Sequence, residues 1–381
     1  MSHNDPETNL LDPTRAFAFD GEGLLPPDSL PIIQLNDRYN EIITQDVVDW
    51  TIRYRLLNRL GAGGQGVVYL TDREGAFGAN FRLALKFHRP EGYPTEAAYR
   101  QEMSRMARIA MEVARMQQDH LLDVYNVLEV DGILVLVSEW VDGFDIRQLL
   151  SSRTLMYLKG HVSKERWKEV NDVVLTKAGF QSRFKVGVAI SIIRECLAGL
   201  AALHREGMVH ADIKPSNVMV KRSGNCKLID LGSAYHLDEL PTRPLWTPRY
   251  AAVEVHLESK HTFTSDLASL GYVFFEMITG RYPFAGAAEG DELVDVKVDL
   301  WENLPELLPE DLARNETLVN LLRKMIAPHP ADRFASAEEA DHSTEGAAEI
   351  HRQLIQMGLA SEYPNDLRVL MQELGPGPGF E

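Results

Sequence analysis

The chain has 381 residues, of which 45% are hydrophobic and 25% charged, the make-up of a folded globular protein and not of a disordered or fibrous one. That length favours two lobes or two domains over a single core. A formal charge of −17 excludes a general binder of nucleic acid or of anionic membranes, both of which need a basic footprint, while leaving room for local basic patches.

Residues 1 to about 45 mix Pro, Asp, Asn and Gly with scattered apolar residues, and Pro26-Pro27-Asp28 interrupts regular structure, so this stretch reads as an extended, partly disordered arm. From Tyr54 the pattern changes. Arg55 to Leu60, then glycines, then Val67 to Leu70 read as two strands joined by a glycine turn, and Leu83 to Phe87 as a third. Glu96 to Gln118, without Gly or Pro, reads as one long helix, and Ile133 to Val137 as a buried strand. Beyond these the chain turns helical. Val186, Ile190, Ile193, Leu197 and Leu200 form one apolar helical face that ends near Gly207, and Leu267, Leu270, Phe274, Met277 and Ile278 form another that stops at Gly280. Short strand-like runs at Asn217 to Lys221 and Cys226 to Asp230 lie between them. The two cysteines, Cys196 and Cys226, have no metal-ligand or redox spacing, which fits a reducing compartment. The apolar segment Val186 to Leu203 is interrupted by Arg194 and Glu195, and the amino terminus lacks a signal pattern; a cytoplasmic protein without a membrane partner is the expectation.

The most specific stretch is His210-Ala211-Asp212-Ile213-Lys214-Pro215-Ser216-Asn217. Asp212 can accept a proton from a hydroxyl, Lys214 can neutralise a transferring phosphate, and Asn217 can offer an oxygen to a hard divalent cation. H-x-D-x-K-x-x-N arises by chance in about one chain in a thousand of this size. The loop Gly61-Ala62-Gly63-Gly64-Gln65-Gly66 gives backbone N–H groups access to phosphate oxygens, but alone it is equally a tight turn. It joins strand to strand and lacks a G-K-[ST] ending, which disfavours a dinucleotide fold and a Walker loop. Lys86 lies in the apolar strand Ala84-Leu85-Lys86-Phe87, either facing an anion or snorkelling from an edge. Asp230 ends a buried strand beside Gly232, suited to Mg²⁺ or to a plain turn.

Taken in order, these parts resemble the eukaryotic-type (Hanks-type) serine/threonine protein kinase family from about Tyr54 to about Ala340. Ser138-Glu139-Trp140-Val141 resembles the hinge, Ala252-Val253-Glu254 the end of the activation segment, and Glu254 and Arg333 the ion pair that ties that segment to the last helices. The resemblance implies an α+β, two-lobed protein kinase-like fold, with a small β-rich N-lobe carrying one helix and a larger, mostly helical C-lobe. It divides the chain into the arm (1–50), N-lobe and hinge (51–141), C-lobe (142–340, with an insertion at 151–182) and a helical tail with a disordered end (341–381). It implies ATP and Mg²⁺, with Leu60, Gly61, Ala62, Gly63, Gly64, Gln65, Gly66, Val68, Ala84, Lys86, Glu102, Glu139 and Val141 at the nucleotide, Asn217 and Asp230 at the metal, and Asp212 and Lys214 catalytic. Lys214 and Thr247 resemble the serine/threonine-specific members, so protein Ser/Thr hydroxyls are the expected acceptors; a nucleotide-binding pseudokinase scaffold and a small-molecule kinase are the alternatives. Asp266 would brace the catalytic loop, with a carboxyl pKa raised by burial.

The chain departs from the family pattern in four places. Counting leaves the helix acid that should pair with Lys86 open between Glu102, the preferred residue, and Glu112. Ala211 stands where many members carry an arginine that grips a phosphorylated activation loop, so Ser233 to Arg249 would be held by packing, without such a switch. Val253 replaces the proline of the usual triplet. In 151–182, Arg153, Lys159, Lys164, Arg166, Lys168 and Lys177 outnumber Glu165, Glu169 and Asp172, which suggests either a solvated helical hairpin or a docking surface for an acidic partner.

Overall fold

The computed structural model describes residues 32–45, 47–49, 53–179, 181–241, 245–284, 291–356 and 363–375. Helix α1 (Ile32–Ile43) and strand β1 (Val47–Asp49) come first, so the sequence-based reading of an extended arm is corrected over this part. Leu35, Tyr39 and Ile42 recur at spacings of four and three and are buried against the sheet, and Tyr69 Oη donates to the Ile43 carbonyl at 2.9 Å. The expected disorder of residues 1–31 lies outside the described residues.

Strands β2 (Arg53–Gly63), β3 (Gly66–Glu74), β4 (Asn80–His88), β5 (Val124–Val130) and β6 (Ile133–Glu139) join β1 in one antiparallel sheet of order β1-β2-β3-β4-β6-β5. Leu83, Leu85 and Phe87 alternate into the small core. Lys86 pairs across the sheet with Val68 and Leu136 and points to the other face, which is how an apolar strand delivers an ammonium to the cleft. Helix α2 (Glu96–Val113) is capped by Thr95, whose hydroxyl accepts from Ala98 N at 3.1 Å. It ends five residues before the expected Gln118 because the chain leaves helical space, reaching φ +47° at Gln117.

The C-lobe begins with β7 (Gly143–Asp145) and α3 (Ile146–Leu150). Residues 151–182 form α4 (Ser152–His161), α5 (Lys164–Glu169), a π-turn and the hairpin β8 (Leu175–Ala178) with β9 (Gln181–Phe184). Leu155, Leu158, Val170, Val174 and Leu175 belong to the main core, so this insertion is built into the lobe, unlike a solvated hairpin. Helix α6 (Val186–Arg205) is the lobe's axis; it is long and apolar enough to span a membrane, yet 67% of that window is buried inside the protein. Then come β10 (Met208–Val209), β11 (Val218–Lys221), β12 (Cys226–Leu228), β13 (Tyr235–His236), α7 (Val253–Glu258) and α8 (Phe263–Thr279). The apolar stripe read along α8 understates it, since every residue from Ser265 to Thr279 is buried, and Gly280 closes it at φ +62°. Helices α9 (Asp291–Glu302), α10 (Leu304–Leu307), α11 (Glu310–Ala313), α12 (Glu316–Met325), α13 (Ala337–His342), α14 (Ala347–Gln356) and α15 (Tyr363–Glu373) complete the described chain.

Candidate active site

A cleft of about 550 Å³ separates the sheet from the helical lobe. Its walls carry the glycine hairpin, Val68, Ala84 and Lys86 above, Glu139 and Val141 at the linker, and Asp212, Lys214, Asn217 and Asp230 below. Of the glycines in the hairpin, Gly61, Gly63 and Gly64 have open space where a side chain would stand. Gly66 does not: at φ +148° a Cβ there would fall on the Phe87 carbonyl, so glycine is required for β3 to pass β4.

The loop after β10 is aimed from beneath. His210 N and Ala211 N donate to the two oxygens of Asp266 at 2.8 and 2.9 Å, and His204 Nε2 lies 3.0 Å from the same carboxylate. Burial alone would raise the Asp266 pKa, as the sequence reading expected, but His204, His210 and the backbone donors bring it below the ordinary value. This is a correction with a clear cause: the carboxylate is fully hydrogen-bonded. Ala211 adopts φ +63°, the left-handed region, and this turn brings both amides onto Asp266.

Asp212 is the centre of a small network. Its Oδ1 accepts from Thr247 Oγ1 at 2.7 Å, and its Oδ2 from Lys214 Nζ at 2.6 Å; Lys214 also donates to Thr247 Oγ1 at 3.0 Å. Asn217 Nδ2 donates to the Asp212 carbonyl at 2.8 Å, which turns its amide oxygen into the group free for another donor or cation. Asp230, at φ 62°, accepts from Gly232 N at 3.2 Å and is paired with Lys86. Burial would raise the Asp230 pKa, but the Lys86 ammonium dominates and holds it well below the usual carboxylate range. Two hard oxygen donors, Asn217 Oδ1 and an ionised Asp230, are the donor set that a Mg²⁺ ion takes when phosphate and water complete its shell.

Glu102 is the one expected nucleotide-site residue that does not line this cleft. It is buried and bound by Arg105 one turn along α2, Nε to Oε1 at 3.0 Å, while Arg105 Nη1 donates to the Ala234 carbonyl at 2.8 Å. The expected Lys86–Glu102 pair is therefore replaced by Lys86–Asp230, with Gln65 Oε1 accepting from Lys86 Nζ at 2.8 Å and Gln65 Nε2 donating to Ser233 Oγ at 2.9 Å. Glu112, the alternative, faces away and meets His236 Nε2 at 2.6 Å. Arg105 escaped the sequence reading, although its position three residues after a buried acid was a readable signal.

The activation segment is held without an arginine at position 211. Arg105 reaches Ala234, Glu112 reaches His236, Arg108 pairs with Glu239, and Val209 pairs with Tyr235 between β10 and β13. Thr242 lies outside the described residues. Glu254 and Arg333 form a bidentate pair, both distances 2.7 Å.

A family model described as protein kinase domain matches residues 54–344. Among curated proteins the chain is 26% identical over 292 residues to the probable serine/threonine-protein kinase PknB of Lactococcus lactis, covering 75% of this chain and 40% of that protein. It is 24% identical to serine/threonine-protein kinase PrkC of Bacillus subtilis, covering 79% and 41%, and 28% identical to PknA of Corynebacterium glutamicum, covering 80% and 56%. The chain thus spans less than two thirds of the length of each.

Proposed function

Since the chain belongs to the protein kinase family, we propose that it transfers the γ-phosphoryl group of ATP to Ser or Thr hydroxyls of protein substrates. The observation that carries this reading is the Thr247 hydroxyl donating to Asp212 Oδ1 at 2.7 Å with the Lys214 ammonium against both. It is the arrangement an acceptor hydroxyl needs: a carboxylate to take its proton and a cation beside the oxygen that attacks.

An entering Ser or Thr hydroxyl would take the place of the Thr247 hydroxyl at Asp212, giving up its proton to Oδ1 as its oxygen bonds to the γ-phosphorus and the bond from that phosphorus to the β,γ-bridging oxygen breaks, with ADP leaving. Lys214 would meet the charge that develops on the transferred group. The glycine hairpin would cover the phosphates with backbone N–H groups, and Lys86 would exchange Asp230 and Gln65 for phosphate oxygens. Asn217 and Asp230 would hold Mg²⁺, whose charge neutralises the phosphates when it is bound. Asp212→Asn is expected to abolish phosphate incorporation from Mg²⁺/ATP into protein, read by mass spectrometry, while nucleotide still binds; phosphoserine or phosphothreonine in the variant at the wild-type level would defeat the reading.

The partner class follows from the insertion. Arg166 is neutralised by Glu169 and Glu373, but Arg153, Lys159, Lys164, Lys168 and Lys177 are exposed on a protein of net charge −17. This supports an acidic protein partner on that face. Deleting the insertion would remove core residues, so charge is the lever to use. Replacing Lys159, Lys164 and Lys168 together with Glu is expected to raise the KM for an acidic protein acceptor about tenfold and leave a neutral peptide unchanged; equal effects on both acceptors would remove the docking role.

A further inference from the structure

Helix α9 buries Leu293, Lys297 and Leu300, followed by Leu304 two residues beyond its end, spaced by four, three and four residues. Lysine here occupies a core position, with 0% of its surface exposed. An unpaired ammonium could not persist there. Lys297 Nζ donates to the Pro248 carbonyl at 2.8 Å, lies 2.8 Å from His256 Nε2, and sits 5.5 and 5.3 Å from the ring centres of Tyr272 and Phe284. Pro248 follows Thr247, the residue hydrogen-bonded to Asp212 and Lys214. The Thr247 carbonyl in turn accepts from Tyr250 N at 3.0 Å and Ala251 N at 3.1 Å. A chain of direct contacts thus runs from a helix of the large lobe, through one backbone carbonyl, to the residue that occupies the acceptor's place.

We propose that Lys297 is a positioning residue for the protein acceptor: its amine fixes the Pro248 carbonyl and thereby holds the Thr247–Ala251 turn where an acceptor hydroxyl meets Asp212. This deepens the kinase reading and rests on it. The groups facing the amine are His256 and Glu254 from α7, Tyr272 from α8 and the Pro248 carbonyl, and Glu254 is itself paired with Arg333. His256 Nε2 is also 2.9 Å from Pro248 O. Charged Lys297 donates to both partners, and His256 then accepts through Nε2; a neutral amine lets the Nε2–H form compete for the same carbonyl. Burial lowers the Lys297 pKa to about 7, with Glu254 opposing the shift, so the two arrangements exchange near neutral pH. Because the folded-state value lies below the ordinary lysine value, the ammonium opposes folding fully below about pH 7, and this opposition fades from there upward.

The test uses the full chain with Lys297→Met and Lys297→Arg. Lys297→Met is expected to keep or raise the thermal midpoint at pH 6.5, because a buried charge is gone. It should also raise the acceptor-protein KM about tenfold, leave the KM for ATP within about twofold, and lower hydrogen-exchange protection at Tyr250 and Ala251. Lys297→Arg, always charged, should keep the acceptor KM low at pH 8.5, where the wild type loses affinity. A Met variant with unchanged acceptor KM and unchanged protection at Tyr250 and Ala251 overturns the proposal, as does a lowered midpoint with both KM values raised alike, the signature of a packing role. Absence of phosphotransfer by the wild type defeats the kinase reading instead, and amide protection then decides for Lys297. Should the Met variant not fold, wild-type protection factors at pH 6 and 9 decide: equal values at Tyr250 and Ala251 overturn it.

Discussion

His88 shows how a single buried ring makes stability depend on pH. Its Nδ1 lies 3.3 Å from the Leu134 carbonyl, and burial, helped by Lys86, lowers its pKa to about 3. The unfolded chain binds a proton at this ring near pH 6.5 and the folded chain does not, so stability falls as pH drops from about 6.5 toward about 3. Between pH 7 and 5 this ring accounts for about 2 kcal/mol of lost stability. His88→Gln should flatten that slope; urea titrations at the two pH values check it, and an unchanged slope would assign the loss to other groups. Ala211 makes a backbone case. At φ +63° its Cβ is strained by about 1 kcal/mol, so Ala211→Gly is expected to leave the protein as stable or slightly more so, whereas Ala211→Val should destabilise it, measured by thermal unfolding. The missing arginine at 211 was legible from the residue alone. The strained turn was not, because φ is imposed by Asp266, 55 residues away.

At the scale of elements, two junctions matter most. Helix α2 turns Arg105, Arg108 and Glu112 toward the activation segment, at spacings of three and four that place them along one face. A helix expected to serve the nucleotide through one acid serves the activation segment through three charged residues. The second junction is at the carboxy-terminal end of the described chain, where α15 buries Leu367, Leu370 and Met371. A Cβ on Gly187 would collide with the Tyr363 ring, and one on Gly224 would strike the Pro364 carbonyl, so both glycines are there to let α15 approach. Gly187→Leu is expected to cost roughly 1–3 kcal/mol of stability by displacing α15, without altering ATP affinity. A loss of nucleotide binding equal to the loss of stability would show that α15 supports the cleft itself. A helical tail was expected for 341–381, but its docking on α6 was not readable, since a glycine in a helix announces neither a contact nor its partner.

Across the whole molecule, one hydrophobic cluster lies within the sheet lobe, and the larger one, centred on the helical lobe, reaches across to Ile109, Ala110 and Val113 of α2 and Leu136 of β6. The chain by itself determined the strands around Arg55, Val67, Leu83 and Ile133, the long helices α2, α6 and α8, the glycine hairpin, and the spacing of Asp212, Lys214, Asn217 and Asp230, but not β5, β7, α7 or the helices and hairpin of 151–182. Periodicity, turn residues and motif spacing are local properties, and they survive folding unchanged. Only the tertiary structure decided which polar groups meet: Lys86 with Asp230, 144 residues apart, Glu112 with His236, 124 residues apart, and Lys297 beneath the Pro248 carbonyl. An ionic group takes the partner that packing brings within about 4 Å. That choice belongs to the arrangement of two lobes and a cleft, not to any stretch of sequence.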